Sequence, residues 1–374
     1  MNKIIFISLI SSALLISCNN DDELDQLSTD VNSLSSQLTA LQQSITSLSN
    51  ATNTSDQSMS STLLDLSNDI ESIQNQLDTN TTAENVSNIE EQINVLSNHI
   101  NVFLKNSKSN LTLNISGLED LGNDYTYEGW LIVNGSPVSA GIFNVDGTGK
   151  LSQTKFVLNS FDVVNATTYV LTIEPNPDTD PSPSAVHILA GDFSGNSASI
   201  NVGHGAALGN DFSTATGGYI LATPTDLTAD TNENSGVWWF DPAAGSTSLS
   251  LPALPGEGWK YEGWAVINGT PVTTGTFTSA DGSDDSAPFS ETAASGPNTP
   301  GEDFLLNPPK GLTFPTDLSG KTVVISIEPD PDNSRAPFTL KPLVGMVPED
   351  AADRTLYSMG NNAVATNPTG SVTR

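Results

Sequence analysis

The sequence has 374 residues, with 43 acidic against 12 basic side chains, a formal net charge of −31 and a single cysteine. That charge repels phosphate backbones, which excludes nucleic acid as a partner, and one cysteine excludes an intrachain disulfide. In chain order the first element predicted is an export signal at residues 1–17: Lys3, an apolar run over residues 4–16, then Ser17. A positive charge, a short apolar stretch and a small residue form that pattern. The run is shorter than the roughly 20 residues that a helix needs to cross hydrocarbon, so it reads as a signal core and not as a transmembrane anchor.

Leu15-Ile16-Ser17-Cys18 resembles the bacterial lipobox. The resemblance implies that Cys18 receives a diacylglycerol and becomes the N-terminus after cleavage, so that the covalent lipid makes the membrane the first partner. Each buried methylene contributes roughly 0.8 kcal/mol, and a multi-chain lipid therefore holds far better than one acyl chain. Residues 18–23 form the lipidated N-terminus and an acidic spacer, Cys18-Asn-Asn-Asp-Asp-Glu23. This cluster is similar to the surface-export signal of Bacteroidetes lipoproteins; a solvated spacer is the other reading. The expected location is the cell envelope, as an outer-membrane lipoprotein displayed at the surface.

Residues 24–105 carry a seam of apolar residues three and four apart, from Leu24, Leu27, Val31, Leu34 and Leu38 onward. Polar breaks at 50–58 and 78–84 divide it into three segments. Such spacing is a heptad pattern, and two architectures fit it: a parallel oligomeric stalk with stutters, or antiparallel helices folded back as a small bundle. The regularity of the seam favours an α-helical coiled-coil stalk, with self-association through it.

From Asn110 the period changes to 2, as in Leu111-Thr-Leu113-Asn-Ile115, and Gly, Pro, Asn and Asp punctuate short runs. That predicts a mainly β head of antiparallel sandwich type. The head is duplicated. Tyr127-Glu-Gly-Trp130-Leu-Ile-Val-Asn134-Gly135-Ser-Pro137-Val-Ser-Ala-Gly141 returns 134 residues later as Tyr261-Glu-Gly-Trp264-Ala-Val-Ile-Asn268-Gly269-Thr-Pro271-Val-Thr-Thr-Gly275. Ile173-Glu174-Pro175-Asn-Pro177-Asp178 returns 154 residues later as Ile327-Glu328-Pro329-Asp-Pro331-Asp332. The 20-residue difference places an insertion in the second copy, within residues 279–300. The boundaries read as copy 1 over 110–240, copy 2 over 247–347 and a polar tail over 348–374. Asn-Gly between alternating runs is a hairpin signal, so Gly135 and Gly269 are structural, and Trp130 and Trp264 are predicted to fill the core of each copy.

Tyr-Glu-Gly-Trp, an apolar strand, Asn-Gly-x-Pro-Val-x-x-Gly and a later Glu-Pro strand end together resemble the extracytoplasmic C-terminal domain of anti-sigma-K factors. The likeness covers roughly residues 110–347, as two copies. It implies a compact β-sandwich. Those regulators also carry a cytoplasmic sigma-binding segment and a transmembrane helix, for which this sequence shows no counterpart. The expectation is that the fold carries over and the sigma-binding activity does not.

Catalytic patterns are sparse. The sequence has three histidines and neither Gly-x-Ser-x-Gly nor His-Glu-x-x-His, so the chain reads as non-enzymatic, without cofactor or zinc site. The acidic loops Asp281-Gly-Ser-Asp284-Asp285 and Asp330-Pro-Asp332-Asn333 offer oxygens for weak calcium binding, although neither has EF-hand spacing. Trp238 and Trp239 are the candidate ligand-binding residues. Adjacent strand residues face opposite ways, so one indole is expected at the surface, to stack on a sugar or to cover the seam between the copies. Three functions follow. The first is a lipid-anchored envelope protein presenting a duplicated head on a stalk for adhesion, binding of an unidentified protein or envelope structure. The second is a carbohydrate-binding surface lipoprotein, and the third an envelope sensor related to anti-sigma ectodomains.

Overall fold

A computed structural model of the chain describes residues 29, 31–36, 38–39, 66, 68–73, 75, 83–227 and 231–374. The export signal, Cys18 and the acidic spacer lie outside the described residues. The described residues of 29–39 and 66–75 are helical, and α1 follows as Ala83–Asn106.

Among the described residues no coiled-coil stalk stands below the β structure. Leu34 and Leu38 from the first helical stretch, Leu66, Ile70 and Ile73 from the second, and Ile89, Ile93, Leu96 and Leu104 from α1 are buried in a single cluster within one chain. The described part of the apolar seam is thereby covered within the chain. Periodicity identifies which face of a helix is apolar, but an intrachain neighbour satisfies that face as well as another copy does. At 24 residues α1 is about 36 Å long. Phe161 and Val164 of the short helix Ser160–Asn165, which links two strands of the β region, pack against the same helical cluster. The Lys105 ammonium lies 5.2 Å from the centre of the Phe161 ring, and Asn159 Nδ2 donates to Lys105 O at 2.7 Å. Among the described residues no helix is long and apolar enough to cross a membrane.

The β structure comprises β1 (Lys108–Ser116), β2 (Tyr125–Val133), β3 (Ser136–Phe143), β4 (Lys155–Asn159), β5 (Ala166–Pro175), β6 (His187–Ser194), β7 (Ser197–Asn201), β8 (Gly218–Leu221), β9 (Gly236–Trp238), β10 (Phe240–Asp241) and β11 (Ser246–Thr247). It continues with β12 (Trp259–Ile267), β13 (Thr270–Phe277), β14 (Gly301–Asp303), β15 (Thr322–Pro329), β16 (Leu343–Met346), β17 (Tyr357–Ser358), β18 (Gly360–Asn361) and β19 (Thr369–Thr373). Eight strands form one antiparallel sheet in the order β3-β2-β5-β6-β7-β19-β1-β4. It curls into a nearly closed barrel: Phe143 of β3 and Phe156 of β4, on the two edge strands, meet at 6.4 Å between ring centres. A second sheet runs β13-β12-β15-β16-β18, and a third runs β14-β9-β8-β17.

Two independent sandwiches are therefore not what the duplication builds. β8 and β9 lie within the first copy's boundaries, yet they pair with β14 and β17 from beyond them. One continuous hydrophobic core contains Leu111, Tyr127 and Tyr169 of the first copy together with Tyr261, Ile325 and Leu343 of the second. Nor are residues 348–374 a polar tail. They supply β17, β18 and β19, and β19 lies between β1 and β7, paired to both. Arg374 fastens that end. Its guanidinium donates to the carbonyls of Val163, Ala166 and Gly195 at 2.7, 2.8 and 3.0 Å and stacks 4.3 Å from the Phe193 ring centre.

The repeated motif folds alike in both copies. Asn134-Gly135 turns β2 into β3 with φ of 54° and 78°, and Asn268-Gly269 turns β12 into β13 with 52° and 82°. Both central positions demand positive φ, which Asn and Gly tolerate best. Each hairpin also has a bulge, between Gly129 and Trp130 and between Gly263 and Trp264. A Cβ on Gly129 would lie 2.3 Å from the Tyr169 hydroxyl, and one on Gly263 would lie 2.7 Å from Trp239 Nε1. The glycine in each Tyr-Glu-Gly-Trp thus leaves room for an aromatic group from the core.

Candidate functional site

The two Tyr-Glu-Gly-Trp strands and the two Glu-Pro strands build one polar arrangement twice, with buried carboxylates at its centre. In the first copy Trp130 Nε1 donates to Thr172 Oγ1 at 2.9 Å, and the Thr172 hydroxyl donates to the Glu174 carboxylate. Glu174 also accepts the Ser184 backbone N–H at 2.9 and 3.2 Å, and Glu128 accepts the Ser139 hydroxyl. In the second copy Trp264 Nε1 donates to Ser326 Oγ at 2.8 Å, and Ser326 donates to Glu328. Glu328 accepts the Phe338 N–H at 2.9 and 3.1 Å, and Glu262 accepts the Thr273 hydroxyl. Trp130 and Trp264 are both buried, and each serves as a donor in this arrangement as well as a packing group.

None of the four glutamates is more than 7% exposed. None is ion-paired to a lysine or arginine among the described residues. Burying a charged carboxylate without a cation is costly, and the proton affinity rises instead. Burial accordingly pushes Glu262 up to about 7 and Glu328 up to about 8, and it raises Glu128 as well. In the second copy Asp332 joins them: oxygens of Glu262, Glu328 and Asp332 all lie within 4.8 Å of one another. Glu262 and Glu328 are buried and Asp332 is exposed, so the trio opens outward through Asp332. Three convergent carboxylates are held together either by shared protons or by a cation, and this trio has the composition to hold a metal ion.

Beside the trio, and sharing Asp332 with it, is a cleft between the two copies. The Glu-Pro turn of copy 2, residues 329–334, faces residues 119–125 and both arms of the corresponding turn in copy 1 across a cavity of about 420 Å³. Both turns contain a cis proline peptide, Asn176–Pro177 and Asp330–Pro331. Hydrogen bonds join the copies around the cavity: Asn333 Nδ2 to Asp124 Oδ2 at 3.2 Å and Thr339 Oγ1 to Gly117 O at 3.0 Å. Its walls include Tyr125, Ile173, Val186 and Phe338, and it has carboxylates at Glu119, Asp120, Asp330 and Asp332 but no lysine or arginine. Burial pushes Glu119 up to about 7 against the opposing pull of Lys341.

The tryptophans singled out by the sequence do not offer a sugar platform. Trp238 is 5% exposed and Trp239 is fully buried. Trp238 donates through Nε1 to Asp303 Oδ1 at 2.7 Å. Gly296 and Gly301 lie against its ring so closely that a Cβ on either would come within 2.5 Å of it. Trp239 meets Tyr219 edge-on at 6.3 Å between ring centres. The acidic loop of residues 281–285 is tied to the protein: Asp284 Oδ2 accepts the Gly301 N–H at 2.9 Å, and Asp285 pairs with Lys260 at 2.9 Å. The other loop contributes Asp332 to the trio. Glu128 and Glu262, which sequence reasoning passed over, had a visible signal, since a glutamate recurs in the middle of a strand whose neighbours are apolar.

Residues 10–186 match the family described as anti-sigma-K factor rskA, C-terminal. The match spans just under half of the chain; it takes in the first copy's Tyr-Glu-Gly-Trp and Glu-Pro segments and stops before the second copy. No curated protein and no solved structure matches the chain.

Proposed function

We propose that this chain is a non-enzymatic binding module of an envelope regulatory circuit, related to the ectodomains of anti-sigma factors and held outside the cytoplasm by lipid on Cys18. The supporting observation is the pairing of a segment that resembles a regulatory ectodomain with a second copy of its own motif, which encloses a cleft that neither copy has alone. The likeness to a regulatory family supports a role without catalysis. It replaces presentation of an adhesive head on a stalk, since the helices pack within the chain.

The test is transcription in cells lacking the protein, compared with cells carrying the full chain or a Glu119→Gln, Asp332→Asn cleft variant. A discrete set of promoters should shift on loss of the protein and shift the same way with the variant. Transcript profiles unchanged by loss of the protein would overturn the reading.

A second reading concerns the trio of Glu262, Glu328 and Asp332. Calcium is the ion proposed for it, because hard carboxylate oxygens suit that cation and water can complete its 6–8 ligands. Only Asp332 reaches the surface, which makes the ion a weak structural brace for the Glu-Pro turn of copy 2.

A further inference from the structure

We infer that the cleft between the two copies binds an organic cation, a primary ammonium or a guanidinium carried on an apolar stem. The inference rests on the reading of the cleft as a binding site and adds the chemistry of its ligand. Glu119, Asp120, Asp330 and Asp332 line the cavity, and no basic residue lines it. Two lysines act on these carboxylates without lining the cavity: Lys260 lies 3.9 Å from Asp330 while pairing with Asp285 at 2.9 Å, and Lys341, which donates to Phe338 O at 2.6 Å, pulls on Glu119. The cavity has four carboxylates and no lining cation; burial raises the proton affinity of Glu119 and Asp332, and the field that remains is negative, attracting a cation and repelling anions. Tyr125 and Phe338 give the walls an aromatic and apolar character, which suits an alkyl stem and stacking beneath a cationic head.

Size and donor set narrow the class further. A cavity of about 420 Å³ lies at the small end of the range of roughly 300–1,000 Å³ typical of ligand sites, enough for a group the size of an arginine side chain with its neighbour. A bare metal ion fits the cleft poorly, since of the convergent trio only Asp332 lines it. The ammonium or guanidinium can belong to a free amine or to a lysine or arginine of a polypeptide, and the two sources are separable.

The experiment is titration of the full chain, followed by calorimetry and by the amide resonances of residues 119–125 and 329–334. The probes are agmatine, a capped Gly-Arg-Leu-Gly peptide and the same peptide with citrulline, which is neutral. Agmatine or the arginine peptide should bind, and raising ionic strength from about 0.05 to about 0.5 M should weaken binding. Asp120→Asn with Asp332→Asn should lower affinity roughly tenfold, whereas Asp192→Asn, outside the cleft, should leave it unchanged. Binding of agmatine identifies a free organic cation; binding of the peptide alone identifies a polypeptide side chain. No binding of either probe up to about 10 mM, a range in which even weak complexes register, would overturn the inference. So would equal binding of the citrulline peptide, or affinity unchanged in the double variant. Any of these results, together with the expected transcriptional shift, would sink the cation and leave the regulatory reading standing.

Discussion

Gly258 of the second copy lies directly on the backbone of Ala185 in the first: its φ is +83°, and a Cβ there would come 2.5 Å from the Ala185 carbonyl oxygen. Gly258 O also accepts the Asp330 N–H at 2.9 Å, so the close approach is linked to the turn that walls the cleft. Only glycine satisfies both the left-handed backbone and the contact. Gly258→Ala should therefore destabilise the protein by about 2 kcal/mol or more, from left-handed strain plus the clash. Chemical denaturation measures this, and an unchanged midpoint would show that the copies do not meet there.

Glu262 and Glu328 give stability a definite pH dependence. Their ordinary value is 4.5, and burial pushes them to about 7 and about 8 in the folded chain. The folded state therefore holds protons that the unfolded state has released. Their contribution is fully present below about pH 4.5 and is lost as pH rises through about 7 to 8. Thermal melts should show a lower Tm at pH 8.5 than at pH 5.5, and Glu262→Gln with Glu328→Gln, which imitates the protonated pair, should flatten that difference. The same slope in the double variant would assign the dependence to other groups.

Calcium should act on the same trio in the opposite pH range. Once the carboxyls have lost their protons, a bound cation offsets their repulsion. Millimolar calcium should raise Tm at pH 8.5, do little at pH 5.5, and do nothing at either pH in Glu328→Gln. An equal rise in the variant would place the ion elsewhere.

Removing residues 369–374 should be severe. β19 fills the gap between β1 and β7, so its loss exposes two strand edges and opens the barrel. The truncated chain should lose cooperative unfolding and aggregate, read by calorimetry and light scattering, whereas Arg374→Ala alone should lower stability without abolishing the fold. A truncated chain that melts like the full one would contradict the strand order.

What could be read from the sequence was local. Asn-Gly flanked by alternating runs specifies a hairpin through its own φ values, and both hairpins stand where the repeat places them. Long-range pairing carried no such signal. Residues 369–373 are short and polar, and their role comes from two neighbours more than 150 residues away. The helical seam announced an apolar face without naming its partner. Alternation along a strand suggested that one of Trp238 and Trp239 faces solvent, but both sides are covered. Trp238 packs with Ile220 and Ala222, and Trp239 lies in the main core. Glu262, Glu328 and Asp332 converge only because β12 and β15 pair in one register, with Lys260 opposite Glu328 and Glu262 opposite Ser326.

The most direct test of the account is where the chain resides and what it carries. Intact mass, membrane fractionation and protease shaving of whole cells should be compared for the wild type and Cys18→Ala. The wild type should carry a lipid-sized mass increment and sediment with the envelope, and Cys18→Ala should be soluble and unmodified; shaving then reports which side of the outer membrane the protein faces. Identical mass and location for the two would contradict the anchor, and with it the proposal of a membrane-held regulatory module.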